Sequence, residues 1–91
     1  MKRFNWDSEK NERLTKDRGI SFEEIVFHIG NENEVDLFEH PNQDRYPGQK
    51  ISAVVVDDYV YLVPFVESEE EIFLKTIIPS RAATRKYLGD G

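Results

Sequence analysis

The stretch KISAVVVDDYVYLVPFV, residues 50–66, decides the fold. Two runs rich in Val, Tyr and Phe flank Asp57-Asp58, and a two-residue junction of that kind predicts a tight β-hairpin. The strands are Lys50 to Val56 and Tyr59 to Val66. Pro64 lacks the N–H that a ladder needs, so it marks an edge or a bulge. The apolar run at residues 59–66 is a strand's length, far short of the roughly 20 residues of a membrane helix.

Working outward, residues 40–49 (HPNQDRYPGQ) hold two prolines and a glycine and must be a loop. Before it, Val35 to Glu39 is a short strand. After the hairpin, ESEEE at 67–71 is a charged turn, and Ile72 to Ile78 is the fourth strand. Ser80 caps a final short helix from Arg81 to about Leu88. Upstream, Asp7 or Ser8 caps a helix ending at Arg18, with Gly19 at C′ and with Glu9–Arg13 and Glu12–Lys16 as i,i+4 pairs. Leu14 and Trp6 anchor this helix at the surface. Ser21 and Glu24 form a capping box for a second helix ending near Gly30, whose Phe22, Ile25, Val26 and Ile29 face the core. The order is two helices, four strands and a helix, with connections suited to an antiparallel meander. The chain is therefore expected to be a single α+β domain over residues 1–91.

Composition narrows the function. The 91 residues contain no cysteine, which removes disulfides, thiolate catalysis and thiolate metal sites. No secretory signal follows the basic start, so a cytoplasmic, membrane-free protein is expected. Net charge is −6, yet residues 72–89 carry four Lys or Arg and no acid, leaving −10 on the remainder. The molecule is polarised, with a small cationic zone on an acidic body.

That zone is KTIIPSRAATRKY, residues 75–87. Arg81 and Arg85 lie four apart on one helical face behind a Ser80 cap, where two guanidinium forks and helix N–H donors suit a phosphate. The alternative is that these cations, with Lys86, balance the helix dipole or pair with the acids at 67–71. Strand parity puts Lys75 beside Phe73 and Ile77, snorkelling at a sheet rim or bordering a cleft with Arg81. His40 and Arg45, with Tyr46 beside them, share the proline-bounded loop, and His40 is suited to proton transfer. His28 is explained by its helix C-terminus. Histidine spacing and carboxylate order match no metal site, so no metal or cofactor is expected.

FNWDSEKNERL and RGISFEEI, the middle Asp36, Glu39-His40-Pro41, Arg45 and Gly48, and the closing KTIIPSRAATRKY resemble, in order and spacing, the BrnT family of bacterial type II toxins. The resemblance spans nearly the whole chain. It implies a RelE-like fold and metal-independent ribonuclease activity that inhibits translation. It also implies a small ribbon-helix-helix antitoxin from the neighbouring gene, through which alone the toxin meets operator DNA. Asp17-Arg18-Gly19 departs from the Lys-His-Gly of many relatives and removes a histidine, while Pro79 stiffens the turn before Arg81. On this reading Arg81 and Arg85 hold the RNA phosphate, and Lys75 shares its charge or protonates the leaving group. His40 and Arg45 transfer protons and position substrate, Tyr46 stacks on a base, and Lys86 flanks the substrate. The competing class is a non-catalytic or degenerate module that binds an antitoxin and co-represses its operon.

Overall fold

Asp57 and Asp58 both take left-handed backbone angles, φ 51° and 63°, the pattern of a type I′ turn that matches strand twist. On it are built β3 (Gln49–Val56) and β4 (Tyr59–Glu67), paired without a slip from Gln49 opposite Val66 to Val56 opposite Tyr59. The structure, a computed structural model, describes residues 2–89. The other elements are β1 (Arg3–Trp6), α1 (Ser8–Arg18), α2 (Phe22–Gly30), β2 (Glu34–Glu39), β5 (Glu71–Leu74), β6 (Ile78–Pro79) and α3 (Arg81–Leu88). The architecture is α+β, and β2 to β5 form the expected antiparallel meander. No helix among the described residues is long and apolar enough to cross a membrane.

The sheet differs from expectation in two ways. It has six strands rather than four, because Arg3–Trp6 adds β1, which runs parallel to β5 from Arg3 opposite Glu71 to Trp6 opposite Leu74. The sheet is therefore not purely antiparallel. The expected fourth strand is also split. Leu74 faces Phe65 and Ile78 faces Leu62, so three residues, Lys75 to Ile77, oppose only Val63 and Pro64.

This bulge has a cause in Pro64. The Lys75 N–H donates to the Pro64 carbonyl at 2.8 Å, so that carbonyl points toward β5. In an extended residue the amide nitrogen lies on the same side, and here it carries no hydrogen. The ladder loses a rung, and the extra residue is accommodated there. Parity changes across the bulge: Leu74 and Ile77 are both buried on one face, while Ile78 is 43% exposed. Ile77 thus leaves the face it was expected to share with Lys75. Its carbonyl accepts a 2.7 Å bond from the Arg18 guanidinium at the end of α1. Arg18 therefore has a structural partner at the bulge.

The α1 and α2 helices cover one face of the sheet. Leu14, Ile20, Phe22 and Ile25 pack there on Val54, Val56, Val63, Phe65, Leu74 and Ile77. The Asn11 side chain joins the two helices, accepting the Phe22 N–H and donating to Glu23, both at 2.7 Å. That bond holds the Glu23 carboxyl below its usual value. The i,i+4 pairs expected on α1 do not form as ion pairs; the Lys2 and Lys50 ammoniums instead meet Glu67. The α3 helix lies on the opposite face, with Ala83 on Ala53 and Val60.

Two glycines give a stability test of opposite signs. Gly19 ends α1 at φ 69°, and its N–H bonds the Thr15 carbonyl. An added Cβ meets nothing within 4 Å at Gly19 or at Gly30. Gly19→Ala is expected to lose about 1–2 kcal/mol, the left-handed penalty. Gly30→Ala, in ordinary helix geometry, gains roughly 0.5–1 kcal/mol. Urea unfolding midpoints should move in opposite directions.

Candidate functional site

Ser80 is extended (φ −131°, ψ 110°), and its hydroxyl accepts the Ala83 N–H at 3.0 Å, so α3 starts where its sequence cap requires. The Thr84 hydroxyl donates to the Ser80 carbonyl and accepts the Val60 N–H, both at 2.8 Å, fastening the helix to the start of β4. At the far end the Tyr87 hydroxyl donates to Asp36 on β2.

That bond lowers the Asp36 carboxyl below its usual value, helped by the Leu37 N–H, and raises the Tyr87 phenol. A depressed acid stabilises the fold above the usual carboxylate range, and the gain is lost as pH falls through the depressed value. A raised phenol stabilises below its usual value, and that gain is lost as pH rises through the raised one. Tyr87→Phe should therefore melt earlier than wild type at neutral pH, and the two melting temperatures should converge in strong acid.

Strand alternation defines the face that α3 shares. Ala53, Val55, Val60 and Leu62 lie under the helix. By the same alternation Phe38, Ile51, Pro64, Val66 and Phe73 continue that face beyond it. Lys75 keeps its expected place there: its ammonium lies 5.5 Å from the Phe73 ring centroid. The His40 N–H still bonds the Gln49 carbonyl, so the β2–β3 ladder carries His40 on to the same face.

The 40–49 loop is an ordered unit. His40 and Tyr46 stack with centroids 4.4 Å apart, and the Arg45 guanidinium lies 5.6 Å from the Tyr46 ring. His40 Nδ1 accepts the Asn42 N–H at 3.0 Å, which leaves the hydrogen of the neutral ring on Nε2. Gln43 bridges the loop by donating to the His40 and Gln49 carbonyls and accepting the Gly48 N–H. Sequence reading found these three residues but not their stacking, which depends on Asn42 and Gln43.

The expected residues fall into two groups. Phe73, Val66, Gln49 and His40 share one level of the sheet, so Lys75 and the His40 loop sit across three strand spacings, about 14 Å. Arg81 and Arg85 are elsewhere. Ser80 bonds Val60, four residues of β4 from the level of Pro64 and Lys75, about 13 Å away. Helix periodicity puts Arg81 beside Leu88, which with Thr84, Asp58 and Gly89 borders a cavity at the hairpin end, and puts Arg85 opposite the sheet-facing Ala83. Lys75 leans the other way, over Phe73, so the three cations do not border one cleft. Arg81 opens a first turn with no acid, against the dipole, whereas Arg85 and Lys86 complement it in the last turn. The Lys86 ammonium rests 5.2 Å from the Tyr87 ring, on the flank facing Asp36.

The helix-covered face also carries a feature that sequence did not show. Phe4, Ile29, Leu37, Phe65, Ile72 and Leu74 line a cavity of about 170 Å³, with Ser52, Glu34 and Glu67 at its polar margin. Ser52 is buried and donates to Glu34. The cavity's residues come from six elements, and no local pattern joins them. No family model, no curated protein and no solved structure matches this chain.

Proposed function

We propose that this chain is a metal-independent ribonuclease with a RelE-like fold, the BrnT-like toxin of a bacterial toxin-antitoxin pair acting in the cytoplasm. The observation that carries this reading is the pairing of cations with aromatic rings on the α3 face. Arg45 lies on Tyr46 and Lys75 on Phe73, and neither has a carboxylate within ion-pair reach among the described residues. Cations beside half-buried aromatic rings suit single-stranded RNA, which needs both charge and stacking.

An RNA strand laid across β2 to β5 meets the His40–Tyr46 stack first and Lys75 last. Its phosphate above Val66 lies between Arg45 and Lys75, whose long side chains close the gap. The 2′-oxygen attacks phosphorus as a solvent water takes its proton, and the two cations stabilise the charge gathering on the phosphorane. The bond to the 5′-oxygen then breaks, and that oxygen takes a proton from the Lys75 ammonium, while the neutral His40 ring donates a hydrogen bond from Nε2 to a phosphate oxygen. The products are a 2′,3′-cyclic phosphate and a 5′-hydroxyl. Arg81, Arg85 and Lys86 hold more distant phosphates. The antitoxin, a ribbon-helix-helix protein, carries the pair to operator DNA.

The purified protein should cut single-stranded RNA in EDTA and leave cyclic phosphate ends. Intact RNA under those conditions, or ends of the opposite polarity, would remove the nuclease reading.

The second reading, a non-catalytic partner-binding module, is favoured by the apolar cavity on the other face and by Leu37, which lines it and is 51% exposed. Expression without the adjacent gene separates the two: growth arrest belongs to the enzyme, harmless expression to the module.

A further inference from the structure

On α1, residues 10, 13, 14, 17 and 18 recur at the spacing of one helical face. Leu14 anchors that face to the core, and around it Lys10, Arg13, Asp17 and Arg18 meet Thr76 in a cavity of about 140 Å³. We infer that Lys10, Arg13 and Arg18, with Thr76, form a binding pocket for a phosphate group.

The chemistry is in the charges and their missing partners. Arg13 stands four residues after Glu9, the favourable order for an ion pair, and makes none. Lys10 and Arg13, three apart, repel each other when no anion lies between them. Asp17 borders the same cavity without forming an ion pair to any of the three cations. The pocket therefore carries +2 in a chain of net −6. Arg18 is fixed by its bond to the Ile77 carbonyl, so one wall is held in place before any ligand arrives. Its remaining guanidinium hydrogens, the Lys10 ammonium, the Arg13 fork and the Thr76 hydroxyl supply donors on several sides, as a tetrahedral oxyanion requires.

Position suggests the source of the phosphate. The β1 strand stops opposite Leu74, so the sheet edge is open at Lys75 and Thr76. A strand leaving Lys75 over that edge arrives at Thr76, one residue on. The pocket then holds the next backbone phosphate, a step that rests on the RNA reading above, whereas the pocket itself does not. Free phosphate is the other source of the same chemistry.

The test uses the intact chain and two probes, inorganic phosphate and a short oligouridylate, followed by amide chemical shifts and by binding titration. Phosphate is expected to shift Lys10, Arg13, Arg18 and Thr76 saturably. Arg13→Ala should weaken it at least tenfold, while Lys16→Ala, which removes the same charge from the same helix outside the pocket, should not. With oligouridylate, Arg13→Ala should also flatten the salt dependence by about 0.7 in log–log slope, one phosphate contact. An unchanged RNA slope with phosphate binding lost would uphold the pocket and assign it to free phosphate. Phosphate shifts that survive Arg13→Ala, or that Lys16→Ala diminishes equally, would overturn it. Failure to cleave RNA would remove the nuclease reading and leave this result standing.

Discussion

Lys75→Ala is expected to slow RNA cleavage in EDTA by about a hundredfold to a thousandfold, the usual effect of removing one preorganised charge from a developing oxyanion. The ammonium has no carboxylate partner among the described residues, so its loss should leave the melting temperature almost unchanged. Arg81→Ala sits at the other end of the α3 face and should cost no more than about tenfold, mostly in KM, as for a contact made equally in ground and transition states. Arg81→Ala should even add a few tenths of a kcal/mol of stability by removing a cation from a helix N-terminus. Single-turnover cleavage of the two variants, measured together, separates the sites. If Arg81→Ala proves the more damaging, the reacting phosphate belongs over α3 and the assignment to Lys75 fails.

Phe22→Ala should lose about 3–5 kcal/mol, the range for deleting a buried phenyl ring. Phe22 is fully buried and stacks on Trp6 at 5.8 Å between centroids. It also joins α2 to the β1 end of the sheet, so its removal opens a cavity between three elements. Such a loss is a large share of the 5–15 kcal/mol that a domain of this size possesses. Thermal unfolding followed by circular dichroism should show a midpoint lower by about 12 °C or more. A shift of only a few degrees would mean that Trp6 collapses into the space, and the β1 anchorage would be weaker than the stacking implies.

The parts of the fold that were legible in sequence are those written in local chemistry. Ser21 and Ser80 cap α2 and α3 as expected, and Asp7 rather than Ser8 caps α1. Asp57-Asp58 turns the hairpin. The β1 strand was not legible, because RFNW has four residues and its partner lies 68 positions away at Glu71. Nothing near Arg3 announces that pairing. Pro64 did announce a bulge, but the extra residue appears on the neighbouring strand, which is why Ile77 and Ile78 exchanged faces. The candidate site shows the same division. Residue types identified Lys75, His40, Arg45 and Tyr46. Their grouping required the register of four strands, and that register put Arg81 and Arg85 elsewhere. Arg18, read as a departure from a familiar pattern, holds the Ile77 carbonyl instead.

The pairing of β1 with β5 also sets the order in which the chain can finish folding. During synthesis, the helices and the first hairpins leave the ribosome while the future partner of Arg3–Trp6 is still unmade. Until residue 74 emerges, the outer side of β4 is an open template for stray strands, the kind of intermediate that aggregates. Pro64 faces that side without a hydrogen to offer. The residue that distorts the finished sheet is thus also placed to guard the nascent one, and Pro64→Val should give more insoluble protein during expression even if the native fold tolerates it.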